Sequence, residues 1–99
     1  MYTIEYAAGV ADDLADLRAY DRKRILDRIE EQVLHEPTRQ TRNRKPIFGV
    51  RPPWDQEEPF WELRIHPYRV FYDVKEAKAL VTVRAIRRKP LHKTTEDIL

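Results

Sequence analysis

Residues 61–74 read WELRIHPYRVFYDV, and the charged members keep a common phase. Trp61, Leu63 and Ile65 alternate with Glu62 and Arg64. Beyond Pro67, Tyr68, Val70, Tyr72 and Val74 alternate with Arg69, Phe71 and Asp73. Period-2 alternation on both sides of a proline-marked turn predicts a β-hairpin. If the apolar phase faces a core, Glu62, Arg64, Arg69, Phe71 and Asp73 share the opposite face. A later run, ALVTVRAI at residues 79–86, puts Val81, Val83 and Ala85 on one side and adds Thr82 and Arg84 to the other. Three arginines and an aromatic on one sheet face make a cradle for a phosphate and a base, because the planar guanidinium fork bonds phosphate bidentately and stays charged. Two further basic clusters, Arg42-Arg44-Lys45 and Arg87-Arg88-Lys89, suit contacts to a nucleic-acid backbone. Such contacts bring affinity without sequence preference and a steep salt dependence.

A face of this kind needs a sheet covered on its other side. YTIEY, residues 2–6, alternates Tyr2, Ile4 and Tyr6 with Thr3 and Glu5 and predicts a short strand. Val10, Leu14 and Leu17 fall four and three apart, on one helical face. Asp21 then reads as the N-cap of a longer helix, DRKRILDRIEEQVLHE, with the apolar stripe Ile25, Leu26, Ile29, Val33 and Leu34. Glu36-Pro37 ends it, since a residue before proline avoids helical geometry. The two helices form an αα-hairpin whose apolar sides must cover something. Residues 37–46, PTRQTRNRKP, read as a polar connector, IFGV as a short strand, and RPPWDQEEP as a loop. KEAK is the turn out of the hairpin, and the tail RRKPLHKTTEDIL holds a proline break and a final helical turn capped by Thr94 or Thr95. The order β-α-α-β-β-β plus a short C-terminal tail or helix predicts an α+β fold. It is a two-layer sandwich, with the N-terminal αα-hairpin on one face of a mostly antiparallel β-sheet and the other face open to water.

With 99 residues, residues 1–99 are expected to form one domain. The chain has no cysteine, which excludes disulfides and cysteine metal sites and is compatible with a reducing compartment. Its three histidines are scattered, with no HxxxH or carboxylate spacing, so no metal and no cofactor are expected. No apolar run nears the roughly 18 residues of a membrane span. MYTIEYAAGVADD has neither the basic nor the apolar region of a signal peptide. A soluble, cytoplasmic protein with no membrane partner is the expectation. Residues 1–36 carry five Lys/Arg against nine Asp/Glu, a net −4, and residues 37–99 carry fourteen against eight, a net +6. A molecule polarised in this way offers its basic part to nucleic acid.

An early YTIEY strand, an αα-hairpin ended by proline, TRNRKP, WELRIHPYRVFYDV and a closing VTVRAIRRK, in that order, resemble the RelE/ParE superfamily of toxins in type II toxin–antitoxin systems. The resemblance covers nearly the whole chain. It implies a small α+β toxin that arrests growth until a cognate antitoxin wraps it. RelE-like members cut mRNA in the ribosomal A site without metal, whereas ParE-like members share the fold but poison DNA gyrase and lack the nuclease residues. The function it implies is therefore a ribosome-dependent endoribonuclease, with a gyrase inhibitor or a degenerate RNA-binding homologue as alternatives.

By the same resemblance, Arg69 stands where the nucleases keep the strand arginine that holds the scissile phosphate. Arg64 falls near the second of two strand lysines, and Glu62 near the first, so a cation has become a carboxylate. A basic residue after the last strand maps to Lys89 or Arg88. The terminal tyrosine is absent, Thr95 occupying its place; other nucleases of the family use a histidine near the C-terminus, a part for which His92 is the candidate here. Metal-free cleavage needs a base for the 2′-hydroxyl, cations for the phosphorane oxygens and an acid for the 5′-oxygen. Arg69 would clamp the phosphate, or pair with Asp73. Arg64 would be a second clamp, or pair with Glu62 or the antitoxin. Glu62 would be the base, or orient Arg64. His92 would be acid or base, its ordinary pKa near 6.5 suiting both, or a solvated tail residue. Arg42, Arg44, Lys45, Arg84, Arg87 and Arg88 would bind RNA, or dock the antitoxin. Trp54 would stack on a base or anchor a partner, Trp61 is core by its phase, and His35 and His66 are structural.

Overall fold

Alternation and helical periodicity both become secondary structure in the computed structural model, which describes residues 1–99. The order is β1 (Thr3–Tyr6), α1 (Ala8–Ala15), α2 (Ala19–Val33), β2 (Arg44–Ile47), β3 (Phe60–Ile65), β4 (Tyr68–Lys75), a 3-10 turn at Glu76–Lys78, β5 (Leu80–Arg88) and α3 (Thr95–Ile98). The five strands are ordered β1-β5-β4-β3-β2, with β1 parallel to β5 and every other pair antiparallel. The α+β architecture is as expected. Because β1 and β2 lie at opposite edges, the αα-hairpin must carry the chain across one face. The fifteen residues of α2 rise about 22 Å, enough for the roughly 19 Å between outer strands.

The helices cover that face through Val10, Ile25, Ile29 and Val33, all fully buried against Leu63, Val70, Tyr72, Val81 and Val83. Leu26 and Leu34, at the margins of the stripe, are half-buried. Asp21 does not cap α2, which begins two residues earlier after Arg18 without a side-chain cap. The start is fixed instead from α1 and the link after it: the Arg22 guanidinium donates to Leu14 O at 3.1 Å and Leu17 O at 2.8 Å. Asp21 sits in the first turn, where a carboxylate complements the helix dipole, 3.6 Å from Arg18 and 3.8 Å from Arg24. Tyr72 is fully buried and donates its hydroxyl to Pro37 O at 2.6 Å, pinning the chain just past α2.

Two strands differ from the pattern in the sequence. The strand expected at IFGV lies earlier, at RKPI, inside the segment read as a connector. Its Pro46 lies on an edge strand, where a missing N–H is tolerated. A β-bulge then shifts β5 against β4: Phe71 pairs with Ala85 and Tyr72 with Val83, leaving Arg84 extra. Ala85 therefore moves to the face away from the helices and Ile86 takes its place in the main core. Beyond Val83, β5 has no strand on its outer side; there Asp13 of α1 accepts from Ile86 N at 3.0 Å and Arg87 at 3.1 Å.

The second face is not open to water throughout. Ile47, Phe60, Phe71 and Ala85 form a smaller core, covered by Val50 and Trp54 from the 48–59 loop and by Ile98 and Leu99 at the C-terminus. Trp54 packs edge-on to Phe60, with ring centres 6.2 Å apart, and against Phe71 at 5.8 Å. The face is thus divided, apolar and covered at one end, charged and accessible at the other. No helix is long and apolar enough to cross a membrane.

Candidate functional site

Strand register assembles the charged end of this face. Lys45 on β2 lies opposite Glu62 on β3, Arg64 lies opposite Arg69 on β4, and Arg69 lies opposite Arg87 on β5. At the turn of the hairpin, Pro67 O accepts from Lys89 N at 2.8 Å, which brings the residue after β5 alongside. The result is a cavity of about 330 Å³ with no hydrophobic side chain in its lining. It holds six basic residues, Arg42, Arg44, Lys45, Arg64, Arg69 and Lys89, and one carboxylate, Glu62; its neutral members are Gln40, Thr41, Asn43 and Thr95.

Glu62 sits near the floor, 5% exposed. Its Oε2 accepts the Thr95 hydroxyl at 2.6 Å and lies 3.9 Å from Arg69 Nε, and its Oε1 lies 3.7 Å from Lys45 Nζ. Arg69 is 6% exposed and donates from Nη1 to Tyr68 O at 3.0 Å. Burial lowers the Arg69 pKa, Glu62 counteracts this, and Arg64 lowers it further. A guanidinium starts from so high a pKa that it remains charged. One buried carboxylate thus holds one buried guanidinium in place, and the uncompensated positive charge around them faces the cavity. Such a site attracts a multiply charged oxyanion.

The structure brings together Arg42, Lys45, Glu62, Arg64, Arg69 and Lys89 of the residues singled out in the sequence. Glu62 pairs with Lys45 and Arg69 rather than with Arg64, and Asp73 pairs with Arg84, at 2.8 Å, rather than with Arg69. Arg44 is in the cavity wall, but its guanidinium donates to the carbonyls of Gln32 and Glu36 and so closes the C-terminal end of α2. Arg87 is held by Asp13 and lies over the Trp54 ring, 5.9 Å from its centre. Arg88 pairs with Tyr68, in the phase of the helical side. His92, exposed and with φ at +72°, is not among the lining residues. Trp54 is a plug of the smaller core. Gln40, Thr41, Asn43 and Thr95 were not foreseen as lining. The turn-forming asparagine was the only hint of a tight turn there.

A sheet with one helix-covered face and one polar cleft over its central hairpin defines a small α+β protein of the RelE/ParE type. The sequence profile of the ParE toxin of the type II toxin–antitoxin system parDE matches residues 4–89, and the chain belongs to that family within the RelE/ParE superfamily. Among solved structures, the chain is similar to the archaeal RelE–RelB complex from Pyrococcus horikoshii OT3, with 18% identity, 94% of this chain and 98% of that one covered, and a TM-score of 0.70. It is also similar to the isolated E. coli RelE toxin, with 18% identity, 96% and 89% coverage, and a TM-score of 0.68. The toxin–antitoxin complex RelBE2 from Mycobacterium tuberculosis gives 18%, 89% and 98%, and 0.68. At these identities the likeness concerns the fold. No curated protein matches the chain.

Proposed function

We propose that this toxin is an endoribonuclease that cuts mRNA on the ribosome by metal-free attack of a 2′-hydroxyl on the adjacent phosphorus, and that a cognate antitoxin silences it. The observation that carries this reading is the cavity built around Arg69, with six basic residues, one carboxylate and no apolar lining. Arg69 and Arg64, opposite one another on adjacent strands, would grip the phosphoryl oxygens bidentately. Lys45 and Lys89 would add charge where the phosphorane becomes more negative, a preorganised term worth about 10²–10³ in rate per donor. Glu62 would accept the 2′-proton through Oε1, the oxygen not bonded by Thr95, and a lysine ammonium would protonate the departing 5′-oxygen. General acid–base help of this kind contributes roughly 10²–10⁴-fold. Breaking the P–O5′ bond leaves a 2′,3′-cyclic phosphate and a free 5′-hydroxyl, so atoms and charge balance without a metal.

A second reading is favoured by the ParE profile match and by the pairing of Glu62 with two of the cations. There the toxin would be a non-nucleolytic inhibitor of DNA gyrase. Expression of the chain alone, with mRNA ends mapped on translating ribosomes, separates the two. New 5′-hydroxyl ends that vanish in Arg69→Ala support the nuclease. Gyrase-dependent DNA breaks without new mRNA ends would replace it with the inhibitor.

A further inference from the structure

One wall of the cavity differs from the rest. Residues 40–43 contribute three neutral groups, Gln40, Thr41 and Asn43, beside the charged Arg42 in a site otherwise dominated by charge. They form a closed turn: Thr41 N donates to Arg44 O at 3.0 Å and Arg44 N to Thr41 O at 3.3 Å. Asn43 is fixed from both sides, its N–H donating to Thr41 Oγ1 at 3.2 Å and its carbonyl accepting from Arg64 N at 2.8 Å. Both bonds made by Asn43 use its main-chain atoms. Its half-buried side-chain amide has no partner in the chain and borders the cavity.

Phosphate recognition does not call for such a group, since the nearby guanidinium and ammonium groups bind phosphate more strongly. What an amide adds is one donor beside one acceptor in a fixed plane. That pattern complements the edge of a nucleobase, and among the bases an Asn or Gln amide pairs bidentately with adenine. Single-stranded RNA exposes such edges once its bases are unstacked. The rigid link from Asn43 O to the backbone of Arg64 fixes the amide relative to a guanidinium that faces phosphate. We infer that Asn43 reads an adenine next to the phosphate held by Arg69 and Arg64, with Gln40 bringing a second amide to the same wall. The inference rests on the phosphate-binding part of the proposed function and adds a base preference to it.

The test is equilibrium binding, by fluorescence anisotropy, of four 2′-O-methyl oligoribonucleotides UUXUU that differ only at X. They present phosphates and bases but no attacking hydroxyl, so binding is read apart from cleavage. With X as A, binding is expected about tenfold tighter than with X as U, the lower part of the range for a bidentate base contact. Asn43→Ala, whose fold is protected because the turn uses no Asn43 side-chain atom, should bind all four equally at the wild-type X = U level. Arg69→Ala should weaken all four alike. Equal binding of the four by the wild type, or a preference retained in Asn43→Ala, overturns the inference and leaves the phosphate site standing. Absence of any oligonucleotide binding overturns both. An Asn43→Ala variant that loses affinity for an antitoxin but keeps its base preference assigns the amide to a protein contact and also overturns the inference.

Discussion

Replacing Glu62 by glutamine separates two jobs that this residue would do at once. Glutamine keeps the shape and still offers an oxygen to the Thr95 hydroxyl, but it removes the single negative charge among six basic residues. The Lys45 contact counts for little, because that side chain is 58% exposed. The Arg69 contact counts for more: at 3.9 Å and under one-tenth exposed on both sides, its gross attraction is about 4 kcal/mol at an effective dielectric of 20. Much of this is offset, because the carboxylate is no longer desolvated, so a net loss of about 1–3 kcal/mol is expected. For a chain of this size each kcal/mol lowers the melting temperature by about 4–8 °C. Binding of RNA should move the other way. If a phosphate binds in this cavity as proposed, removing the carboxylate beside it should relieve about 1–2 kcal/mol of repulsion, between the aqueous and surface limits, or roughly five- to thirtyfold in affinity, and more at low salt. Cleavage, if Glu62 takes the 2′-proton, should fall by about 10²–10⁴. Thermal melts, binding of 2′-O-methyl RNA and cleavage rates on ribosomes read these three quantities. A variant that is less stable, binds more tightly and cuts more slowly is the expected result. Unchanged melting together with unchanged RNA affinity would refute the placement of Glu62 among these cations.

Arg44→Met should cost about 2–4 kcal/mol, seen as a lower urea midpoint, because the buried guanidinium closes the carbonyl end of α2 through Gln32 and Glu36. Burial pushes the Tyr72 phenol well above its usual range, with Arg44 drawing it partly back. The unfolded chain ionises this group near pH 10 while the folded chain keeps it protonated, so its contribution is intact below pH 10 and declines above it. Urea midpoints between pH 9 and 11 should therefore fall less steeply in Tyr72→Phe, which at neutral pH costs about 1 kcal/mol for the lost bond to Pro37. Asp97 is held below the ordinary carboxylate range by the Thr94 backbone N–H and then its hydroxyl. The cap of α3 should hold above about pH 4 and open as the pH drops through the lowered value, which amide chemical shifts of residues 94–98 would follow.

The hairpin of β3 and β4 was legible because its phase is strict on both strands, with large apolar groups at Leu63, Val70 and Tyr72 facing the helices. The helical stripe was legible for the same reason. β2 was not, since Arg44 and Pro46 look unlike a strand. Arg44 is buried only because the end of α2 supplies it with carbonyls, twelve and eight residues back along the chain, a partnership no local pattern announces. The bulge in β5 was hidden too: VTVRAI alternates evenly, and only pairing with Phe71 and Tyr72 forces Arg84 out of step. Of the site, the cations of the central ribbon could be read off as one face. That Lys45 would stand opposite Glu62 required the register of β2, and that Thr95 would reach Glu62 required the path of the tail.

The shortness of β1 has a bearing on how this chain behaves in a crowded solution. Four residues pair with only the first part of β5, so the remaining stretch, RAIRR, offers main-chain groups of the kind that recruit strands from other molecules. A single carboxylate from α1 occupies the Ile86 amide and keeps Arg87 beside it. Asp13 thereby fills one of the main-chain positions through which a foreign strand would extend this sheet border.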